Sequence, residues 1–351
     1  MQNQLLTPTS EWQTYVDDAA WVPHQYDAGA DALSFVHLPR EAQRAAVFLD
    51  RRFVGSAFRS PPAPIRALPA QTIRDAAGPL HFIFHTGFCC STLLARALDI
   101  PGVSMGLKEP AVLLSFAQHW STARQTPGAL NALGVTLNLL SRPLSPGESQ
   151  IVKPSNVASH LLPDVLHLRP DAKVLVLYSP LRSFLEAIAR RDNGGRAFGR
   201  QIFQGFASSI PLQATFSPEE QLLLTDLQIA AQAWLMQMAF FASIIRHYGP
   251  QRVRTLNSEA LLADSATTLG KVGKFFDLVQ KTRDWSDIAA GPIFKEHAKE
   301  HGLPFDARAH RAQLAAAGAT HANEINAVDD WARLVAQRAN APLTLGDTVL
   351  A

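Results

Sequence analysis

Seven residues in the first third of the chain have the composition of an anion-binding loop. These residues are Thr86-Gly87-Phe88-Cys89-Cys90-Ser91-Thr92. They follow an apolar run, HFIFH at 81–85, and a helical pattern begins directly after them at Leu93. Backbone N–H groups of such a loop, together with a helix start, can surround a phosphate or sulfate. The hydroxyls of Ser91 and Thr92 can donate to the same anion. The loop is not a Walker A sequence, since no Lys precedes Ser91. A tight strand-to-helix turn with a capping serine is the alternative interpretation.

Four side chains beside predicted strand ends could carry out transfer of an anionic group. Such a reaction needs a cation near the transferred group and a base for the acceptor. Lys108 and Lys153 are candidates for the cation, Glu109 is a candidate base, and His85 is the alternative base. Each also has a structural interpretation. Glu109 before Pro110 could cap a helix, Lys153 could be a solvated strand end, and His85 could be an interior histidine.

The elements that must position these residues alternate between short apolar strands and longer helical patterns. Later segments of this kind are IVK at 151–153, KVLVLYS at 173–179 followed by SFLEAIARR, and RVRTLNS at 252–258 followed by ATTLGKVGKFFDLV. This alternation predicts an α/β fold with a parallel sheet flanked by helices. Ligands of such sheets bind at the carboxyl ends of the strands, where the candidate residues stand.

Several blocks in this order resemble the sulfotransferase family, chiefly its bacterial branch, over roughly residues 80 to 280. The blocks are the 86–92 loop, Leu107-Lys108-Glu109-Pro110, Ile151-Val152-Lys153-Pro154, PDAKVLVLYSPLRSFLEAIARR at 170–191, and the stretch at 253–278 that contains Glu259 to Asp264. The resemblance implies a P-loop NTPase-like fold of the sulfotransferase type. It also implies that residues 86–92 bind the 5′-phosphosulfate of the donor 3′-phosphoadenosine 5′-phosphosulfate (PAPS). The 170–191 block would grip the 3′-phosphate that the product PAP retains.

The sequence departs from the family pattern in both donor-binding blocks. Phe88 stands where the family usually has a Lys or Arg, Tyr178 replaces an Arg, and Glu186 replaces a Ser. Arg182 and Ser183 could compensate for the second and third changes, as could the following basic pair, Arg190 and Arg191. Arg182, Glu186 and Arg190 also have the four-residue spacing of a surface ion-pair ladder.

The function implied by the resemblance is transfer of a sulfuryl group from PAPS to a hydroxyl or amine of a small molecule, with no metal. Two alternatives are another nucleotide-dependent P-loop transferase of the kinase type, and a non-catalytic nucleotide-binding or interaction protein with a degenerate site. The segment His297-Ala298-Lys299-Glu300-His301 matches the zinc-binding pattern H-x-x-E-H, but Gly302 and Pro304 would end its helix. We therefore expect Lys299 to belong with Lys295, Arg308 and Arg311 to a basic closing segment.

Composition narrows the expected partners and location. The formal net charge of the 351 residues is +2, which creates no field for a nucleic acid polymer or an anionic membrane. The two cysteines are adjacent, at about 3.8 Å between Cα atoms, too close for an ordinary disulfide. The first ten residues do not have the pattern of a signal peptide. A cytoplasmic location and a small-molecule acceptor are expected, whereas the sequence gives no prediction of oligomeric state.

Three regions are predicted along the chain. Residues 1–78 form an N-terminal helical extension with a Pro-rich connector, residues 79–290 form the α/β core, and residues 291–351 form a basic, Ala-rich segment that packs on the core. The uncharged stretch 227–245 is long enough to span a bilayer. Its glutamines recur at helical spacing and would give the helix one polar side, so a core helix is expected there.

Overall fold

The central element of the structure is a parallel β-sheet. The computed structural model describes residues 12–55, 57–123, 127–207, 209–212, 216–278, 284–300 and 302–351. In these residues the strands are β1 Trp21–Asp27, β2 Ala32–His37, β3 Ala63–Pro64, β4 Leu80–His85, β5 Ser104–Lys108, β6 Ser149–Lys153, β7 Val174–Tyr178 and β8 Val253–Asn257. Strands β4 to β8 form one sheet in the order β5-β6-β4-β7-β8, and every neighbouring pair is parallel.

Helices connect these strands and cover the sheet. They are α1 Gln13–Asp17, α2 Arg40–Ala45, α3 Arg51–Val54, α4 Ala70–Asp75, α5 Ser91–Ala97, α6 Ala111–Ala123, α7 Pro127–Leu140, α8 Leu162–Leu168, α9 Leu181–Ala189, α10 Asp192–Ala207, α11 Pro218–Leu223, α12 Asp226–Tyr248, α13 Ser258–Ala263, α14 Ser265–Phe275, α15 Trp285–Ala290, α16 Ala307–Thr320 and α17 Ala322–Ala339. Short 3₁₀ helices lie at Ile65–Ala67, Asn156–Leu161 and Pro292–Phe294.

Both faces of the parallel sheet are buried. Side chains that alternate along β4 point to opposite faces. Phe82 and Phe84 therefore pack in one apolar cluster with Val176, whereas Ile83 packs in another with Leu94 of α5. A sheet covered on both faces produces continuous apolar runs in the sequence, which made these strands recognisable. The predicted α/β fold class is confirmed.

The N-terminal region is not the helical extension that the sequence predicted. It contains an antiparallel sheet in which β2 pairs with both β1 and β3. Proline is uncommon within regular strands, so the sequence around Pro23 does not have the pattern of a strand. The structure accommodates it at an irregularity in the β1–β2 register between Pro23 and Gln25. Short helices are present as well, but the hairpin supplies the packed surface.

A single buried guanidinium ties this N-terminal region to the rest of the molecule. Arg142, just after α7, donates hydrogen bonds to the carbonyl oxygens of Tyr15, Val16, Asp18 and Trp21 at 2.5–3.1 Å. Burial lowers the pKa of Arg142 to about 10. Residues of β1 and β2 also share one apolar cluster with the parallel sheet. The N-terminal region and the sheet thus have a common core.

The C-terminal region packs on several elements of the core. Helix α16 lies against α9, and α17 lies against α12. The last residues then run beside β8, where Thr348 Oγ1 accepts from Thr255 N–H and Val349 N–H donates to Thr255 O. These bonds satisfy backbone groups of the outer strand β8, which has no further strand beside it in the described residues.

Helix α12 is long and apolar enough to cross a membrane, and among the described residues it alone passes that test. In the structure 72% of its most apolar window is buried inside the protein. The glutamines do not form the exposed polar side that their spacing suggested, because Gln232 and Gln237 are both buried. The side-chain amide nitrogen of Gln237 donates a hydrogen bond to the carbonyl oxygen of Ala233, one turn earlier.

Lys108, at the end of β5, is enclosed rather than available to a ligand. Its side chain is 1% exposed, and its ammonium donates to the carbonyl oxygen of Arg44 at 2.8 Å. Desolvation by burial lowers the pKa of Lys108 to about 8. The prediction that Lys108 supplies a cation to the reacting group is therefore wrong in its geometry, because this side chain leaves the sheet toward the N-terminal region.

Close packing of β5 on α5 gives a prediction about stability. A Cβ added to Gly106 would overlap the carbonyl oxygen of Ala95, whereas a Cβ added to Gly128 in α7 meets nothing within 4 Å. We expect Gly106→Ala to lower the free energy of unfolding by about 1–3 kcal/mol. Gly128→Ala, the matched control, should leave it unchanged or raise it slightly. Urea unfolding of both variants measures the difference, and equal stabilities would contradict the tight packing.

The buried ammonium of Lys108 predicts a pH dependence of stability. Its pKa is about 8 in the folded chain and about 10.4 when unfolded, so between these values the unfolded state binds the extra proton. The free energy of unfolding should therefore rise with pH across that window, by at most about 1.4 kcal/mol per pH unit from this group. Urea unfolding of the native chain and of Lys108→Met, compared pH by pH, isolates this contribution. Parallel pH profiles for the two proteins would contradict it.

Candidate functional site

A cavity of about 370 Å³ lies at the carboxyl ends of β4, β5 and β6. Its walls come from the loop after β4, the start of α5, the end of α9 and a segment of the C-terminal region. The lining residues are Phe48, Arg52, His85, Gly87, Phe88, Cys89, Cys90, Ser91, Thr92, Leu93, Glu109, Ser155, Asn156, Ala187, Arg190, Arg191, Phe198, Glu296, His297, Ala298, Lys299, Phe305 and His310. The strand ends of this α/β sheet thus converge on one enclosed space, as the topology requires.

The loop after β4 has an unusual backbone. Gly87, Phe88 and Cys90 all have positive φ, at 91°, 48° and 58°. A glycine adopts this region freely, whereas Phe and Cys pay a conformational cost and need support from packing. Successive N–H groups in such turns form concave anion-binding surfaces. Among the described backbone bonds outside helices and strands, none is donated by the amides of residues 88–92.

Polar side chains of the cavity wall also lack partners in the described part of the chain. The atoms concerned are Thr92 Oγ1, Asn156 Nδ2 and His297 Nδ1, and each is buried. Buried polar atoms are rarely left unsatisfied in a folded protein, unless a ligand or water serves them. Asn156 Nδ2 also lies 3.4 Å from the position that a Cβ on Gly87 would take. The open donors therefore gather at the loop. Helix α5, at seven residues, adds little dipole to them.

Lys153 and Glu109 form an ion pair between the ends of β6 and β5. The Lys153 side chain is 1% exposed, and its ammonium lies 5.4 Å from the centre of the Phe48 ring. Glu109 has a φ of 51°, and its N–H donates to the carbonyl oxygen of Lys153 at 2.7 Å. Strain of this kind persists only where the surroundings enforce it, and it is common at functional sites. The pair presents a carboxylate to the cavity with a cation fixed behind it.

His85 supports the loop and is not placed to act as a base. Its Nδ1 accepts from Gly87 N–H at 3.1 Å, and its Nε2 lies 3.1 Å from the carbonyl oxygen of Pro154. These two partners require a neutral ring with the proton on Nε2. Desolvation lowers the pKa of His85 well below its usual value, and Lys153 and Lys299 lower it further. Both ring nitrogens are occupied, so the interior-histidine interpretation is the correct one.

Three of the predicted ligand-binding residues lie outside the cavity. Thr86 is fully buried, and its hydroxyl accepts from Ser179 N–H at 3.1 Å, which joins β4 to the end of β7. Arg182 is half exposed and pairs with Glu186 one turn later, as the surface-ladder alternative proposed. Ser183 donates to Glu259 at 2.6 Å. Spacing alone could not show these partners, because two of them come from distant parts of the chain.

Arg190 and Arg191, at the end of α9, do reach the cavity. Arg190 donates to Gln313 of α16 at 2.7 Å. The guanidinium of Arg191 lies 4.7 Å from the centre of the Phe88 ring, within range of a cation–π interaction. Desolvation lowers the pKa of Arg191, and the neighbouring charge of Arg190 lowers it further. Two guanidinium groups therefore stand close together beside the loop.

The adjacent cysteines are buried fillers of the loop. Desolvation raises the pKa of Cys89, and it raises the pKa of Cys90 to about 12. Burial outweighs the effect of the helix start, which by itself would lower both pKa values. Both thiols are uncharged at neutral pH and are therefore poor nucleophiles.

The zinc-binding pattern has no helical setting. His297 and Glu300 lie in turns of the segment before α16, while His301 lies outside the described residues. Across the described ranges, no group of three or more His, Cys, Asp and Glu side chains is arranged to hold a metal ion.

Several residues of the cavity wall were not singled out from the sequence. They are Phe48, Arg52, Ser155, Asn156, His297 as a cavity residue, Phe305 and His310. Asn156 could have been found, because it follows the end of β6 by three residues and the strand-end rule applies to it. Ser155, directly before it, could have been found in the same way, whereas the others come from loops and helices distant along the chain, and nothing in the local sequence connects them to β4.

Comparison with known proteins places sulfotransferases among the similar solved structures. No protein-family model matches the chain, and no curated protein matches it. The sulfotransferase domain from the curacin biosynthetic pathway aligns with 76% of this chain and 99% of its own, at 12% identity and a TM-score of 0.41. The sulfotransferase STF1 from Mycobacterium tuberculosis H37Rv aligns with 72% of this chain and 80% of its own, at 12% identity and a TM-score of 0.41. The sulfotransferase STF9 from Mycobacterium avium aligns with 73% and 78%, at 10% identity and a TM-score of 0.41. In structure, the chain is similar to sulfotransferase domains at low sequence identity.

Proposed function

We propose that this protein is a sulfuryl transferase that uses PAPS as donor and a small-molecule hydroxyl or amine as acceptor. One observation carries the proposal: the loop after β4 and the carboxylate of Glu109, which is paired with the buried Lys153 behind the cavity wall, meet in one cavity. The loop can receive an anion, Lys153 is a fixed cation, and Glu109 is a carboxylate that can take a proton. These are the groups that in-line transfer of a charged, phosphate-like unit requires.

The cavity wall fits the phosphosulfate end of the donor. Thr92 Oγ1 and Asn156 Nδ2 are buried donors that lack partners in the described structure, and the described backbone–backbone bonds outside helices and strands do not use the amides of residues 88–92. Charge-assisted hydrogen bonds to an oxyanion are about twice as strong as neutral ones. This match supports our placement of the donor's sulfuryl and 5′-phosphate oxygens at the loop.

The side of the loop that faces the start of α9 does not suit the binding of a second phosphate. A smaller cavity of about 130 Å³ there is lined by Arg311 and by two carboxylates, Glu186 and Glu259. Both would repel a phosphate, and α16 already covers this flank, with Gly318 against Glu186. Arg190 and Arg191, which line the main cavity at the end of α9, are the cations that we assign to the donor's 3′-phosphate. The donor would therefore lie across the end of α9 instead of its start.

The reaction follows from the positions of Glu109 and Lys153. The described hydrogen bond of the Glu109 side chain uses Oε1, which leaves Oε2 to accept the proton of the acceptor hydroxyl. The acceptor oxygen then forms a bond to sulfur, while the bond between sulfur and the donor's bridging oxygen breaks. The electron pair of that bond leaves on the phosphate oxygen. Charge that develops on the transferring group is stabilised by the Lys153 ammonium and by the loop amides.

Binding of PAP tests the assignment of the loop. We expect the native protein to bind PAP in a calorimetric titration, and to bind it more tightly than ATP or GTP with Mg²⁺. Replacement of Ser91 and Thr92 together by Ala should weaken PAP binding by about 10- to 100-fold, because hydrogen bonds to a charged group are lost.

Ser183→Ala is the matched control, since this hydroxyl bonds to Glu259 outside the main cavity. Its PAP affinity should equal that of the native protein. Selective binding of ATP or GTP would support the kinase-type alternative, and no binding of any nucleotide would support the non-catalytic one. Unchanged PAP affinity in the double variant would contradict the role of the loop.

Glu109→Gln tests the proton acceptor. The amide keeps a carbonyl oxygen for Lys153 but cannot accept the acceptor's proton, so kcat should fall by about 10²- to 10⁴-fold. PAP affinity should stay close to the native value. Release of PAP from PAPS in the presence of a panel of phenols, alcohols and amines provides the rate. Native activity in the variant, with its folding verified by thermal melting, would remove Glu109 from the mechanism.

A further inference from the structure

A closed loop of the C-terminal region covers part of the cavity. Within the basic segment expected from the sequence, we keep the name closing segment for residues 295–305, which excludes Arg308 and Arg311. The structure describes all of these residues except residue 301. Its two ends are joined by a hydrogen bond from Phe305 N–H to Lys295 O at 2.8 Å. A second bond, from His297 N–H to Leu303 O at 2.7 Å, narrows the loop further. The segment therefore has a defined shape that is set by its own backbone.

An ion pair fixes the closing segment next to the anion-binding loop. Arg96 of α5 pairs with Glu296 at 2.8 Å and also donates to the carbonyl oxygen of His297 at 3.4 Å. Glu296 in turn accepts from Gly302 N–H at 2.9 Å. Arg96 lies four residues after Thr92 on helix α5, whose first residues belong to the anion-binding loop. The position of the segment is thus coupled to the position of the loop.

The closing segment brings Lys299 into the cavity wall. The Lys299 ammonium lies 5.4 Å from the centre of the Phe48 ring, which is also the distance of the Lys153 ammonium from that ring. Among the described residues, no carboxylate lies within ion-pair distance of Lys299, although the charge of Glu109 is felt there. Partial desolvation and repulsion from Lys153 lower the pKa of Lys299. Two ammonium groups near one ring are an unfavourable arrangement until an anion joins them.

The anion-binding loop itself has no positive side chain. Phe88 occupies its centre, and the ring packs against Phe184 and Phe198 at 5.8 and 5.2 Å between ring centres. Lys153 is already paired with Glu109. A doubly charged oxyanion bound to the loop amides would therefore find no positive side chain within the loop itself. Lys299, in turn, has no carboxylate paired with it among the described residues.

We propose that Lys299 completes this anion site, and that its ammonium binds the same tetrahedral sulfuryl or phosphate group that the loop amides and Thr92 receive. His297 Nδ1, buried in the same wall without a described partner, is a second donor to that group when the nitrogen is protonated. The proposal rests on the proposed function, because it names the cation that contacts the transferred group. It makes Lys299 a catalytic residue supplied by the C-terminal region.

The test compares variants of two lysines on one segment. Lys299→Ala should weaken the binding of inorganic pyrophosphate and of PAP by about 10- to 100-fold at fixed ionic strength. Lys299→Arg should restore affinity to within a few fold, because it returns the charge. Lys295→Ala is the matched control: this side chain is exposed, as Lys299 is, but it does not line the cavity, so the affinity of the variant should be native. Calorimetry provides the dissociation constants.

A second variant tests whether the closing segment positions the lysine. Arg96→Gln removes the ion pair to Glu296 but no cation from the cavity wall, and it should weaken pyrophosphate binding while Lys299 is still present. In the background of Lys299→Ala, the same change should have no further effect.

The outcomes separate this proposal from the proposed function. Native affinity for pyrophosphate and PAP in Lys299→Ala would overturn the role of Lys299, even if sulfuryl transfer is observed. Equal losses in Lys295→Ala and Lys299→Ala would also overturn it, because they would indicate a general charge effect. Binding that depends on Lys299, together with no release of PAP from PAPS, would support the anion site and contradict sulfuryl transfer.

Discussion

The buried ammonium of Lys153 is the constraint on which the arrangement of the site depends. A charge that is 1% exposed costs free energy unless it is paired and hydrogen-bonded, and Glu109 supplies that pairing. To reach Lys153, Glu109 takes a positive φ, which turns the chain away from β5 and toward the cavity. The Lys153 carbonyl holds the Glu109 amide, so backbone and side chain enforce the same geometry. The carboxylate is therefore fixed before any substrate arrives, and little ordering is left for binding to supply.

The charges around this pair make the cavity electrostatically incomplete. Arg190 and Arg191 approach the loop from the end of α9 and Lys299 approaches it from the closing segment, and desolvation lowers the pKa of both Arg191 and Lys299. Lowered pKa values of cations mean that the folded protein holds them at a cost in free energy. An anion in the cavity would remove part of that cost, so its binding would raise the stability of the folded state in proportion to its concentration. The same feature accounts for a local cationic site in a chain whose net charge is only +2.

How much could be predicted from the sequence depended on how local the signal was. The parallel strands were recognisable because burial on both faces produces short apolar runs, and the strand-end rule then identified Glu109, Lys153 and the loop. The same rule selected Lys108 wrongly, since being at a strand end does not determine the direction in which a side chain leaves the sheet. Phe48 and His297 carry no local signal at all, because tertiary packing brings them to the loop from about 40 residues before it and some 200 residues after it. The hairpin β1–β2 was missed because a register irregularity accommodates Pro23, and a pattern of regular alternation cannot represent that.

Phe88 shows how the loop can keep its shape without a charged side chain of its own. A φ of 48° is unfavourable for Phe, and packing against Phe184, Phe198 and the guanidinium of Arg191 compensates for it. A lysine at this position would lose most of that apolar packing and would add a fourth cation to Arg191, Lys153 and Lys299. In this chain, shape and charge are therefore divided: an aromatic residue maintains the backbone that presents the amides, and cations from α9 and the closing segment supply the field. Because the cations come from outside the loop, affinity for the anion depends on the contacts of α16 and the closing segment with the core. A lysine within the loop would not create this dependence.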